Sequence, residues 1–146
     1  MSIFFGKKEE AVLFSQLEGT LTYQGKPASG AKITLWTAWK DQKGETDDYR
    51  ADDTGYFKIP TKTVTYRDHP LVQMSIGQTV TVEYQGQEYV IWEAGKTSTH
   101  LYGELAGEPQ GVTCELTQTE LDHHLEHSLL GTICKWESLK KLESEQ

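Results

Sequence analysis

The chain has no apolar run long enough to cross a membrane, since its first hydrophobic stretch, Ile3-Phe4-Phe5, is cut off by Lys7, Lys8, Glu9 and Glu10. A spanning helix needs about 20 apolar residues, and a secretory signal needs an uninterrupted apolar centre. A cytoplasmic protein with no membrane partner is expected. Basic residues are scarce too: 14 Lys and Arg against 22 Asp and Glu leave a net charge of -8. Phosphate backbones and anionic headgroups are repelled by such a surface unless a basic patch overrides it. The basic pairs Lys7-Lys8 and Lys140-Lys141 both lie beside acidic residues, so nucleic acid is excluded as a partner. Cysteine is limited to Cys114 and Cys134. Two thiols permit one disulfide, or a metal site if histidines join them. A cytoplasmic location favours reduced thiols buried as small apolar groups on neighbouring strands.

Catalytic signatures are missing as well. There is no Gly-x-Ser-x-Gly elbow and no glycine-rich phosphate loop. Asp47-Asp48 and Asp52-Asp53 are adjacent acids on turn-like segments, where neighbouring side chains point apart and serve solvation or turn bonding. No catalytic centre and no cofactor is expected.

What the chain does have is large rings and short extended runs. Aromatics make up 10% of the 146 residues, with four Trp and seven Tyr, enough to build one core on rings. The length suits a single domain, read as 1–137, followed by a charged tail over 138–146. Leu17 to Tyr23 alternates Leu17, Gly19, Leu21 and Tyr23 with Glu18, Thr20 and Thr22, the period of a half-buried strand. Ala31 to Trp39 places Ala31, Ile33, Leu35 and Thr37 on one face and Trp36 and Ala38 on the other. Lys40 to Asp48 reads as a solvated loop, and Asp52-Asp53-Thr54-Gly55 as a tight turn leading into the strand Tyr56 to Ile59. Thr79–Tyr84 and Glu88–Glu93 form a hairpin about Gln85-Gly86-Gln87. Leu101–Leu105, Val112–Thr117 and Thr132–Trp136 are further short strands. Between the last two the period changes: Thr119 caps, and Leu121, Leu125 and Leu129 repeat every fourth residue, predicting a short helix near 120–130. The fold class expected is all-β, a sandwich of about 7–9 strands with one short C-terminal helix.

Within Leu17 to Pro60, Gly19, the turn Gly25-Lys26-Pro27, the run Gly30-Ala31-Lys32-Ile33-Thr34-Leu35 and the segment Asp52-Asp53-Thr54-Gly55-Tyr56-Phe57-Lys58-Ile59-Pro60 form a pattern. It resembles the carboxypeptidase regulatory-like family, a transthyretin-related β-sandwich that recurs in bacterial proteins as an accessory module. The resemblance implies a fold and no activity, because every matching residue builds turn or core. A hydrolase of the wider transthyretin-like group carries an N-terminal His-containing strand and a C-terminal Tyr-Arg-Gly-Ser signature, and this chain ends Leu142-Glu143-Ser144-Glu145-Gln146.

Two constellations remain. On a helix over 120–130, Glu120, His123 and His127 share the face opposite the leucines, and two imidazoles with a carboxylate can hold Zn²⁺ or Ni²⁺. The competing reading is the solvated face of an amphipathic helix. Trp36, Trp39, Tyr49, Tyr66, Trp92 and Tyr102 exceed what one core of this size needs, and exposed rings beside acids anchor protein interfaces. The alternative is a second covered face. The function expected is therefore non-enzymatic binding of another protein, as an immunity protein or adaptor for a secreted toxin effector. A carbohydrate- or small-ligand-binding module is the alternative, followed by a metal-dependent enzyme.

Overall fold

A computed structural model of the chain describes residues 8–39, 43–67, 75–97, 99–103, 105, 107–125, 128–137 and 139. Its elements are β1 (Lys8–Phe14), β2 (Leu17–Tyr23), β3 (Lys26–Pro27), β4 (Lys32–Trp39), β5 (Glu45–Arg50), β6 (Tyr56–Ile59) and β7 (Lys62–Arg67), then β8 (Ile76–Tyr84), β9 (Gln87–Lys96), β10 (Val112–Glu115), β11 (Leu121–His124), β12 (Ser128–Thr132) and β13 (Cys134–Lys135). All thirteen are strands, more than the 7–9 expected.

They form three sheets. A six-stranded sheet runs β11-β12-β9-β8-β4-β5, a five-stranded sheet runs β13-β10-β2-β3 with β6 also paired to β2, and β1 pairs with β7 as a two-stranded ribbon. Alternation dictates the faces. Leu17 and Leu21 of β2, Phe57 and Ile59 of β6, and Val112 of β10 meet Ile33 and Leu35 of β4, Val80 and Val82 of β8, Trp92 of β9 and Leu130 of β12 in one buried cluster. Each large apolar side chain so buried contributes roughly 1.5–3 kcal/mol. A smaller cluster of Ala11, Leu13, Trp39 and Ile76, flanked by Val64 and Tyr66, seats the ribbon.

Two bulges interrupt the alternation and are tied together. Val80 pairs with Trp92 and Thr81 with Val90, which leaves Ile91 extra, so Ile91 and Trp92 are both buried. The Ile91 carbonyl accepts instead from the Thr132 hydroxyl at 2.9 Å and the Ile133 N–H at 3.2 Å. In β1, Leu13 is the extra residue between Val12 and Phe14. Its carbonyl accepts from Gln78 Nε2 at 2.7 Å, while Gln78 Oε1 accepts from Trp92 Nε1 at 3.0 Å. One buried amide thus joins the ribbon to the large core, as buried polar groups require.

The helix expected near 120–130 is absent. Leu121–His124 and Ser128–Thr132 are antiparallel strands, and the Leu125 N–H donates to the Ser128 carbonyl at 2.8 Å. Four-residue spacing is an even number, so it satisfies a strand as well as a helix. Leu121 and Leu129 are in fact about half exposed. Leu101 to Leu105 is not a strand either: its described residues lie in turns, with Gly103 N–H bonded to the His100 carbonyl and Leu105 N–H to that of Tyr102. Glu45 to Asp48, expected in a loop, belongs to β5. The tail from 138 onward lies outside the described residues except for Leu139, which is buried.

Cys114 and Cys134 face one another across β10 and β13 and are joined as a disulfide, where reduced thiols had been expected. The Asp52 turn forms as read from its residues. Asp52 Oδ1 accepts from the Thr54 N–H, the Thr54 hydroxyl and the Tyr56 N–H at 2.7–3.0 Å. Gly55 has φ 82°, and a Cβ there would strike the Leu21 carbonyl, so glycine is required twice over.

Candidate functional site: a groove on the open face of the six-stranded sheet

Side chains of β4, β8, β9, β11 and β12 that point away from the core meet on the outer face of the six-stranded sheet. Register places Trp36, Thr79, Glu93, Gly131 and Asp122 in one row across these five strands. Beside it lies the row Gly77, Gly95 and Leu129. With strands about 4.8 Å apart, Trp36 and Glu93 spring from the sheet about 10 Å from each other.

The glycines shape this surface. The Trp36 ring lies over Gly77, with Cζ3 3.2 Å from where a Cβ would be, and its Nε1 lies 2.5 Å from the corresponding point on Gly44. At the far end Gly131 is covered by the Glu120 carboxylate and by Asp122 Oδ1, the latter 2.9 Å from a would-be Cβ. Between them Gly95 has nothing within 4 Å. The result is an open groove of about 320 Å³ with an indole wall at one end, carboxylates at the other and Leu129 on its rim.

Its electrostatics are one-sided. Burial pushes the Glu120 carboxyl up, and the charge of Glu93, a hydrogen bond shared with it and the charge of Asp122 push it further the same way. Among the described residues no basic side chain lines the groove, and none of the three carboxylates has a cation within ion-pair distance. The arrangement can hold a positive group against an aromatic face.

The sequence-derived residues are dispersed. Of the six rings, Trp36 alone faces this groove. Trp92 is wholly buried, stacked on Trp136 at 5.9 Å and edge-on to Phe14 at 6.0 Å. Trp39 is buried and packs on half-buried Tyr66 at 5.1 Å in the ribbon cluster. Tyr49 lies on the inward face of β5 against the main core, its hydroxyl pushed up by burial and by Asp47, with Lys62 opposing. Tyr102 is half-buried in the 101–103 turn, accepting from Gln16 Nε2 at 3.0 Å and donating its N–H to Ser15 Oγ at 2.7 Å.

The metal constellation does not assemble as drawn. Glu120, just before β11, lines the groove, while His123 within β11 turns inward beside Leu130, 8% exposed. His127 lies outside the described residues. No group of three His, Cys, Asp or Glu side chains suited to a metal ion occurs among the described residues. Glu93 was missed in the sequence, although glycines at the outward strand positions 77, 95 and 131 were a legible sign of a cleared surface.

Residues 17–119 match the model of a family described as a domain of unknown function, DUF6795. The chain belongs to the DUF6795 family. No curated protein and no solved structure is significantly similar to it. The matched part of this DUF6795 chain runs from β2 through β10 and holds Trp36, Thr79, Glu93 and Gly95. Glu120, Asp122, Leu129 and Gly131 come from the segment that follows it. The groove is therefore shared between the DUF6795 match and the β11–β12 hairpin.

Proposed function

We propose that the protein is a non-enzymatic binding module that docks a partner protein on the outer face of its six-stranded sheet. The observation that carries this reading is the row of Trp36, Glu93 and Asp122 across an uncovered sheet, flanked by the cleared position Gly95. Aromatic anchors beside desolvated polar groups are what binding hot spots are made of. The net charge of -8 favours a basic partner. Within this class the reading is an immunity protein that occludes a secreted toxin effector, or an adaptor that loads one. The turn and core residues of Leu17 to Pro60 support kinship of the sandwich with the carboxypeptidase regulatory-like group. The compartment is the cytoplasm on the sequence reading, whereas the Cys114–Cys134 disulfide favours an oxidising one. Trapping thiols with a maleimide in intact cells decides between them.

A photo-crosslinking residue in place of Thr79, on the groove, and in place of Lys58, exposed on the opposite sheet, tests the docking face. One defined protein adduct from position 79 and none from 58 is expected. Adducts equal at both positions, or at neither, overturn the reading.

A second reading has a specific observation in its favour. A half-buried indole beside carboxylates is also how sheet faces grip sugar rings, and Trp36 has that setting. Glycan-array binding lost in Trp36→Ala would establish this alternative.

A further inference from the structure

We infer that the groove is a receptor for an arginine side chain presented by the partner, with the guanidinium lodged over Gly95 between the Trp36 indole and the carboxylates of Glu93, Glu120 and Asp122. The inference rests on the docking reading and names the chemistry of its occupant. Three observations favour it. The carboxylates of Glu93, Glu120 and Asp122 line one face of the groove, and among the described residues no cation is paired with them. The indole lies over β8, because Gly77 lacks the side chain that would occupy that position. Gly95 leaves open the space between ring and acids.

Arginine suits this site better than lysine. Its planar guanidinium stacks on an indole while its N–H fork meets carboxylates in bidentate fashion. An ammonium is a point charge, more strongly hydrated, and gains less from the ring. Exposed Leu129 at the rim adds an apolar contact for the side-chain stem.

The probe is a blocked peptide, acetyl-Gly-Gly-Arg-Gly-Gly-amide, titrated against its lysine counterpart and followed by NMR. The arginine peptide is expected to shift the Trp36 indole N–H and the Gly95 and Gly131 amides in a saturable way. It should bind about threefold tighter than the lysine peptide, the size of an exposed cation–π contact, and more weakly at about 0.5 M NaCl. Gly95→Phe puts a ring into the open space and should abolish the effect, as should Glu93→Gln combined with Glu120→Gln. Shifts scattered over the surface, equal affinity for the two peptides, or binding that survives Gly95→Phe overturn the inference. A defined adduct at position 79 together with no arginine preference sinks this inference and leaves the docking reading standing. Absence of any adduct at position 79 sinks the docking reading first.

Discussion

Glu115 shows how one side chain can hold two sheet segments in register. Its carboxylate accepts from the N–H groups of Gln24, Gly25 and Thr117 and from the hydroxyls of Thr22 and Thr117, all within 2.7–3.0 Å. Burial pushes this carboxyl up, but the hydrogen bonds from Thr117, Gly25 and Gln24 outweigh it and bring it down to about 2. A carboxyl lowered in the folded state stabilises the fold above its unfolded value, and that stability is lost as pH falls through the folded one. The urea midpoint of wild type should therefore exceed that of Glu115→Gln at neutral pH, with the gap closing between about pH 4.5 and pH 2. A gap that does not change over this interval would show that the carboxylate charge is irrelevant to the turn. Gln78 is the other residue with two duties. Gln78→Leu strips partners from the Trp92 indole N–H and the Leu13 carbonyl, each worth about 1–3 kcal/mol when left unpaired and buried. A loss of about 2 kcal/mol or more is expected, with the β1–β7 ribbon amides exchanging hydrogen faster.

At the scale of elements, the strands with clean alternation are legible in the sequence. β2 and β6 have the bounds that their patterns gave, and β4 and the β8–β9 hairpin differ only at their ends. The failures have physical causes. Leucines spaced by four fit both periods, so the sequence predicts a helix where β11 and β12 pair instead. β1 gave no signal, because its Lys8-Glu9-Glu10 start is charged and its bulge at Leu13 breaks the alternation. The groove was half legible: Trp36 was placed correctly on the outward face, but Glu93 becomes its neighbour only through strand pairing, which one sequence does not display. The disulfide belongs to this scale also. It clamps β13, a two-residue strand, to β10 and closes a loop of 20 residues. Such a loop is worth about 3 kcal/mol in chain entropy. Reduction should lower the wild-type melting midpoint to that of the Cys114→Ala, Cys134→Ala variant and leave the variant unmoved. A wild-type midpoint indifferent to reductant would mean that the bond is not formed in solution.

Over the whole molecule, a surplus of negative charge works against compactness, and the groove concentrates that opposition. Glu120 is ionised with difficulty because burial, Glu93 and Asp122 all raise it. For a carboxyl raised in the folded state the sign is the reverse of Glu115: folding is undisturbed below the unfolded value, and the penalty grows as pH rises toward the folded one and is complete above it. Glu120→Gln should therefore stabilise the protein at pH 7. The gain should be small, roughly 0.2–1 kcal/mol, since the pair is largely solvated, and it should fade below about pH 4.5. Salt provides the control, because raising NaCl screens the same repulsion. Wild type should gain stability with salt, and the variant should gain less. A residue that improves the fold when neutralised, yet whose loss weakens binding of the arginine peptide, is retained for recognition rather than for stability. If Glu120→Gln instead lowers the urea midpoint at pH 7, the carboxylate is part of the scaffold, and the acidic wall of the groove has a structural origin.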